Sequence, residues 1–325
     1  MVSIQTVQTG PGAVLRHVWR LDVSDALPGD ERLEIAAGLV LPADDTPKAL
    51  LVCLPGGFLT RRYYDLEVDA DRSFSFAQYM AGRGFATLSL DHLGVGESSR
   101  PADGWALDVD CVARANQLAL DAAESRWRDE VGPTLPSIGV GHSMGSCLSV
   151  VQQANHAPNR ALVLFSFTTL GLRPYLQGRE TDFADDPDAA RSELRALARE
   201  RFGSPFPGDE MDGAHAAFSV GSAPPVAERA LHGAATCILP IPALLTMFPG
   251  GYVPWAERVR VPVLAVVGDN DLHRVDASIA CLPNAASVDT YTLEDSWHCH
   301  NVANTRTRLW DHVAQWTDGV LQTSD

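Results

Sequence analysis

The sequence predicts an α/β fold built on a mostly parallel sheet, and two features carry that prediction. Between residues 48 and 171, runs that are apolar along most of their length ("KALLVCLPGG", "FATLSLDHLGVGES", "PSIGVGHSMGSC", "RALVLFSFTTLG") alternate with helix-spaced segments. Strands without a polar face need cover on both sides, which a parallel sheet flanked by helices supplies. The alternation then breaks and later resumes, so a segment of different character interrupts one sheet in sequence.

In chain order, "AVLRHVWRLDV" and "RLEIAAGLVLP" are β-like runs separated by "SDALPGDE", whose Pro-Gly-Asp reads as a turn. They form a mixed N-terminal edge. "SFSFAQYMAGRG" has helical spacing and a glycine stop, and "ALDVDCVARANQLALDAAESRW" is a long helix with Val109, Val112, Leu118 and Leu120 on its apolar side. "CLSVVQQANHA" continues as a helix directly after a strand and turn. From 171 to 258 the pattern changes to a charged helix, "RETDFADDPDAARSELRALARERFG", and then to a Pro-rich apolar stretch. A structureless loop of that length is unusual in a compact domain, so 171–258 is read as an inserted helical cap on a core of 1–170 and 259–325. The sheet resumes with "VPVLAVVGDND", a helix or turn "RVDASIACLP" and a strand "SVDTYTLED", and the chain closes on a helix, "TRTRLWDHVAQWTDGVL".

Composition narrows the function. The formal charge of -16, from 41 acidic and 25 basic residues, repels nucleic acid and anionic membrane surfaces and favours a neutral or cationic small molecule as partner. No stretch reaches the roughly 18 apolar residues of a membrane span, and the first 20 residues do not read as a signal peptide. The six cysteines are scattered with no C-x-x-C pair, as expected of reduced thiols in a cytoplasmic protein.

"GHSMG", residues 141–145, is a G-x-S-x-G sequence between a predicted strand and a predicted helix. The serine of such an elbow sits on a tight, strained turn, and larger flanking side chains collide with neighbouring backbone. A hydroxyl needs a base to become a nucleophile, and the base needs an acid to orient it. Asp269 and Asp271 in "VVGDNDLHRV" stand at the C-terminal end of a strand, where open α/β sheets place their sites. "DSWHCHN" offers His298 and His300. A metal reading of "HCH" lacks partner ligands elsewhere in the sequence, so no metal or other cofactor is expected. His273 lies close behind the acid and reads as a surface residue, and Cys299 as packed.

On "GHSMG", on the turn "DHLGVGESSR" and on the serine, acid, histidine order, the chain resembles the α/β-hydrolase family over nearly its whole length. The resemblance implies an eight-stranded, mostly parallel sheet with a cap inserted after the sixth strand. It implies Ser143 as nucleophile, Asp271 as acid through the G-x-x-D pattern from Gly268, and His298 as base, with His300 the alternative. Asp91 and His92 take the family's structural turn. Backbone N–H groups of Met144 and of the "PGGF" turn form the oxyanion hole. Phe58 supplies the second donor when Gly56 is aligned on the histidine of the family's H-G-aromatic pattern. That histidine is missing here, which leaves Gly57 open beside Phe58. Arg61, Arg62, Tyr63 and Tyr64 follow in a long loop that either closes over substrate or is solvated. In the cap, Leu239, Ile241, Leu244, Leu245, Met247, Phe248, Tyr252 and Trp255 give an apolar pocket, most of them as cap core. The expected chemistry is hydrolysis of a carboxylic ester or lactone through an acyl-enzyme. Thioester, amide or carbon-carbon hydrolysis and acyl transfer use the same triad, and a non-catalytic ligand-binding protein is the reading from another class.

Overall fold

The computed structural model describes residues 4–7, 13–208 and 222–323. Its strands are β1 (Ile4–Val7), β2 (Val14–Asp22), β3 (Glu34–Pro42), β4 (Leu50–Leu54), β5 (Ala86–Leu90), β6 (Ser137–His142), β7 (Ala161–Phe165), β8 (Val263–Gly268) and β9 (Val288–Leu293). They form one sheet in the order β1-β2-β3-β5-β4-β6-β7-β8-β9. Pairing is antiparallel from β1 to β5 and parallel from β5 through β9. Strands β2 to β9 are the expected eight, and β1 adds one strand at the antiparallel edge.

Every residue of β4, β5, β6, β7 and β8 is buried, which is why these runs carry no polar alternation. Alternate side chains enter opposite cores: Leu50, Val52 and Leu54 of β4 face one cluster, Leu51 and Cys53 the other. The first core is covered by α2 (Val109–Glu130) and α3 (Met144–His156), the second by α1 (Phe76–Gly82) and α9 (Arg306–Gln322). Ser75 and Asp108 start α1 and α2 by accepting from Gln78 N and Cys111 N, satisfying N–H groups the first turn leaves unpaired.

Between β7 and β8 the regular elements among the described residues are helical: α4 (Pro187–Phe202), α5 (Pro225–Gly233), α6 (Pro240–Leu245), α7 (Val253–Ala256) and two short 3-10 turns. The charged segment from 179 is not one helix. A 3-10 turn ends at Phe183, and α4 begins at Pro187 behind the cap Asp186, because proline suits the first helical position and resists a place inside a helix. A short α8 (Val275–Ala280) lies between β8 and β9. Among the described residues no helix is long and apolar enough to cross a membrane.

The turn from β6 into α3 is tightly packed. A Cβ on Gly145 would stand 2.1 Å from the carbonyl oxygen of Leu54 and 2.4 Å from that of Pro55. The first turn of α3 therefore sits directly on the end of β4. Gly145→Ala should lower unfolding stability by about 3 kcal/mol, because the blocking atoms are backbone that cannot step aside; urea denaturation of the variant beside the wild type measures it.

Candidate active site

Ser143 links β6 to α3 with φ 54° and ψ -122°, a left-handed backbone that a serine adopts only when its surroundings impose it. Its N–H donates to Phe165 O on β7 at 2.8 Å, anchoring the turn to the neighbouring strand. The hydroxyl is 2.9 Å from His298 Nε2, and His298 Nδ1 is 2.8 Å from Asp271 Oδ1. With Nδ1 donating to the carboxylate, Nε2 is the lone pair facing the serine, the tautomer a general base requires. His300 meets Asp271 rather than Ser143: its Nε2 is 3.1 Å from Oδ2.

Asp271 is the buried anion of the site, its side chain fully shielded from solvent. Besides the two imidazoles it accepts from Leu272 N at 2.7 Å, Gly268 N at 3.3 Å and the Ser166 hydroxyl. Burial by itself raises its carboxyl, but the charge and hydrogen bond of His298 and then the contacts of His300 outweigh it, holding Asp271 well below the usual carboxylate range.

Asp269 has a different task. It accepts from Asp295 N and Ser296 N, both at 3.0 Å, and so clamps the start of the loop that carries His298. That loop presses on the acid turn closely enough that a Cβ on Gly268 would stand 2.2 Å from Ser296 O. His142, in the variable position of "GHSMG", donates from Nε2 to His298 O at 2.9 Å and ties the base loop to the elbow. Burial, followed by the nearby His298 and His300, holds its pKa well below that of free histidine.

The missing histidine of the "PGGF" turn also has a structural counterpart. A Cβ on Gly56 would lie 2.7 Å from His142 Nδ1, so the His142 ring takes the space a larger residue would need. The turn is held from below by His92, whose Nε2 donates to Pro55 O at 3.0 Å. Gly57, Phe58 and Met144 all line the same cavity as Ser143, and Phe58 has φ 64°.

Asp91 accepts from Arg61 N at 2.7 Å, from Glu97 N at 3.0 Å and from the Arg61 guanidinium. Neither reading of the Arg61–Tyr64 loop describes it fully. Tyr63 and Tyr64 are fully buried, Tyr63 lying against His142 with ring centroids 4.6 Å apart, while Arg62 is exposed. His273 is not a plain surface residue either: it is partly buried, its Nε2 is 3.0 Å from Phe167 O, and burial lowers its pKa. Cys299 is buried, and burial, with Asp271 nearby, pushes its thiol up to about 12. Among the described residues no group of three or more His, Cys, Asp or Glu side chains is placed to hold a metal ion.

The cavity above Ser143 measures about 140 Å³, and its apolar walls include Leu172, Leu231, Ile238, Ala243 and Met247. Of the cap residues singled out in the sequence only Met247 reaches it. Leu239, Ile241, Leu244, Leu245, Phe248 and Tyr252 are packed inside the cap and against α3, and Trp255 donates from its indole to Asp110. Ile238 and Leu231 gave no sequence signal, because wall and core positions on irregular cap helices share the same apolar character.

The sequence matches the alpha/beta hydrolase family over residues 51–308, and the chain belongs to that family. No curated protein matches it significantly. Similar solved structures include a proline iminopeptidase of Mycobacterium smegmatis, with 15% identity, 95% of this chain and 100% of that one covered, and a TM-score of 0.61. An esterase of Exiguobacterium antarcticum has 14% identity, coverage of 92% and 98%, and a TM-score of 0.60. The enol-lactonase of Burkholderia xenovorans LB400 has 15% identity, coverage of 89% and 97%, and a TM-score of 0.55. At these identities the likeness is one of fold.

Because the native carboxyl of Asp271 is held below its unfolded value, the stability it contributes is present above about pH 4 and is lost as the pH falls through the lower native value. Asp271→Asn should therefore lose less stability than the wild type between about pH 4 and pH 2, as read from urea midpoints across that range.

Proposed function

We propose that this protein is a serine hydrolase cleaving a carboxylic ester or lactone of a small, largely apolar substrate. The observation that carries the reading is the hydrogen-bonded chain Ser143–His298–Asp271, at 2.9 and 2.8 Å, opening into an apolar cavity. Ser143 Oγ attacks the carbonyl carbon while His298 Nε2 takes the hydroxyl proton, and Asp271 stabilises the imidazolium that forms. The backbone N–H groups of Met144 and Phe58 hold the oxyanion, where charge develops only in the transition state. His298 then gives its proton to the departing alcohol. A water, activated in the same way, releases the acid from Ser143.

The cavity, at about 140 Å³, is close to the size that accepts benzene in an apolar protein core, so it suits an acyl or alcohol part of roughly six carbons. Six scattered cysteines with no C-x-x-C pair support a reducing, cytoplasmic setting, and the charge of -16 supports a neutral or cationic small-molecule partner over nucleic acid or membrane.

A panel of p-nitrophenyl esters and small lactones tests this reading. Acetyl to hexanoyl esters should turn over with an initial burst. Decanoyl esters should show a kcat/KM lower by about tenfold or more, since the extra methylenes have no room to be buried. A chelator should leave the rates unchanged, and absence of turnover across the whole panel would contradict the reading.

A further inference from the structure

Two histidines, not one, bind the acid of this site. His298 Nδ1 reaches Asp271 Oδ1 at 2.8 Å, and His300 Nε2 reaches Oδ2 at 3.1 Å from the other side. A carboxylate oxygen only accepts, so the His300 proton sits on Nε2, and its Nδ1 is left buried with no partner. An unpaired buried ring nitrogen is a cost, so what the ring contributes here is the hydrogen bond it donates to Asp271. A phenylalanine would fill the same space without that cost and without the donated hydrogen bond.

We propose that His300 is a positioning residue for hydrolysis: it fixes which Asp271 oxygen faces His298 and draws off part of the carboxylate charge, thereby setting the basicity of His298. This rests on the triad reading above. Other donors to Oδ2 are the Ser166 hydroxyl and Gly268 N, and both are neutral. His300 is the donor on that side that comes from the same loop as His298.

The groups packed around the pair leave Asp271 as the fixed charge. His142, at the end of β6, and His273, in the turn after β8, are kept neutral chiefly by burial. Tyr63 is raised by burial and then by the nearby Cys299 and Asp271, and Cys299 is raised to about 12 by burial and Asp271. The neighbours of His300 in ring contact are His142 at 6.0 Å and Phe165 at 5.8 Å. The charge that His298 meets directly is therefore that of Asp271, and His300 acts on it through the shared carboxylate.

Losing the His300 donor leaves more negative charge facing His298, which raises the affinity of His298 for its proton. In His300→Phe the acidic limb of the kcat/KM profile should move to higher pH by roughly half a unit, and kcat should fall about threefold to tenfold with KM little changed. His300→Gln, whose amide nitrogen can take the place of Nε2, should restore most of both. A His300→Phe profile that overlays the wild type, or a Gln variant no better than Phe, overturns the proposal.

Proton and ¹⁵N NMR of the imidazoles gives a reading independent of turnover, should no ester be cleaved or His300→Phe not fold. The wild type should show His300 protonated at Nε2 and bare at Nδ1, and the His298 Nδ1 proton resonance should shift in His300→Gln less than in His300→Phe or, if Phe does not fold, His300→Leu. Protonation of wild-type His300 at Nδ1 alone, or an unmoved His298 resonance in the donor-free variant, overturns the proposal and leaves the triad reading standing.

Discussion

The site depends on satisfying one buried anion. Asp271 is shut off from water, and a carboxylate in that position persists only if its lone pairs are met by donors and its charge by groups that can carry a compensating one. Five donors converge on it: two imidazoles, a serine hydroxyl and two backbone N–H groups. They come from the turns after β7 and β8 and from the loop after β9. Each of those turns is therefore fixed in relation to the others by what the carboxylate requires.

The sheet makes that convergence possible. Strands β6, β7, β8 and β9 run parallel and in register, so their C-terminal ends deliver the elbow, Ser166, the acid turn and the base loop to one edge. Secondary contacts then remove the remaining freedom. His142 ties the elbow to the base loop, Asp269 clamps the start of that loop, and His92 holds the turn after β4. The strained backbone at Ser143 and the left-handed Ser166 are held by paired N–H groups: Ser143 N to Phe165 O, Ser166 N to Val266 O, both at 2.8 Å. The cost of these two backbone conformations is offset by the regular strands on either side.

Much of this was legible in the sequence because it is local. Continuous apolar runs reported strands buried on both faces, and "GHSMG" between a strand and a helix reported the elbow. The choice of His298 over His300 was harder, since both lie in one loop and spacing alone does not say which ring turns toward Ser143. The resemblance favoured His298, and its Nε2 is the ring nitrogen 2.9 Å from the Ser143 hydroxyl. Contacts made across the fold were not legible. Ser166 lay hidden in "RALVLFSFTTLG", where nothing marks the end of β7 at Phe165. The clamp made by Asp269 left no mark in the sequence because the two N–H groups it accepts from lie 26 and 27 positions away. Tyr63 and Tyr64 sat in a polar stretch that gave no hint of burial. The cap was legible as an insertion, but its pocket walls were not, because its short helices follow prolines and turns more than a steady period.

The most direct test of the account is the site and rate of modification by a fluorophosphonate, read by intact mass and peptide mapping. The wild type should take up one equivalent, located on Ser143, and His298→Ala should react slower by about a thousandfold while remaining folded, because the hydroxyl has lost the base that accepts its proton. Modification of a different residue, or an unchanged rate in His298→Ala, would contradict the account.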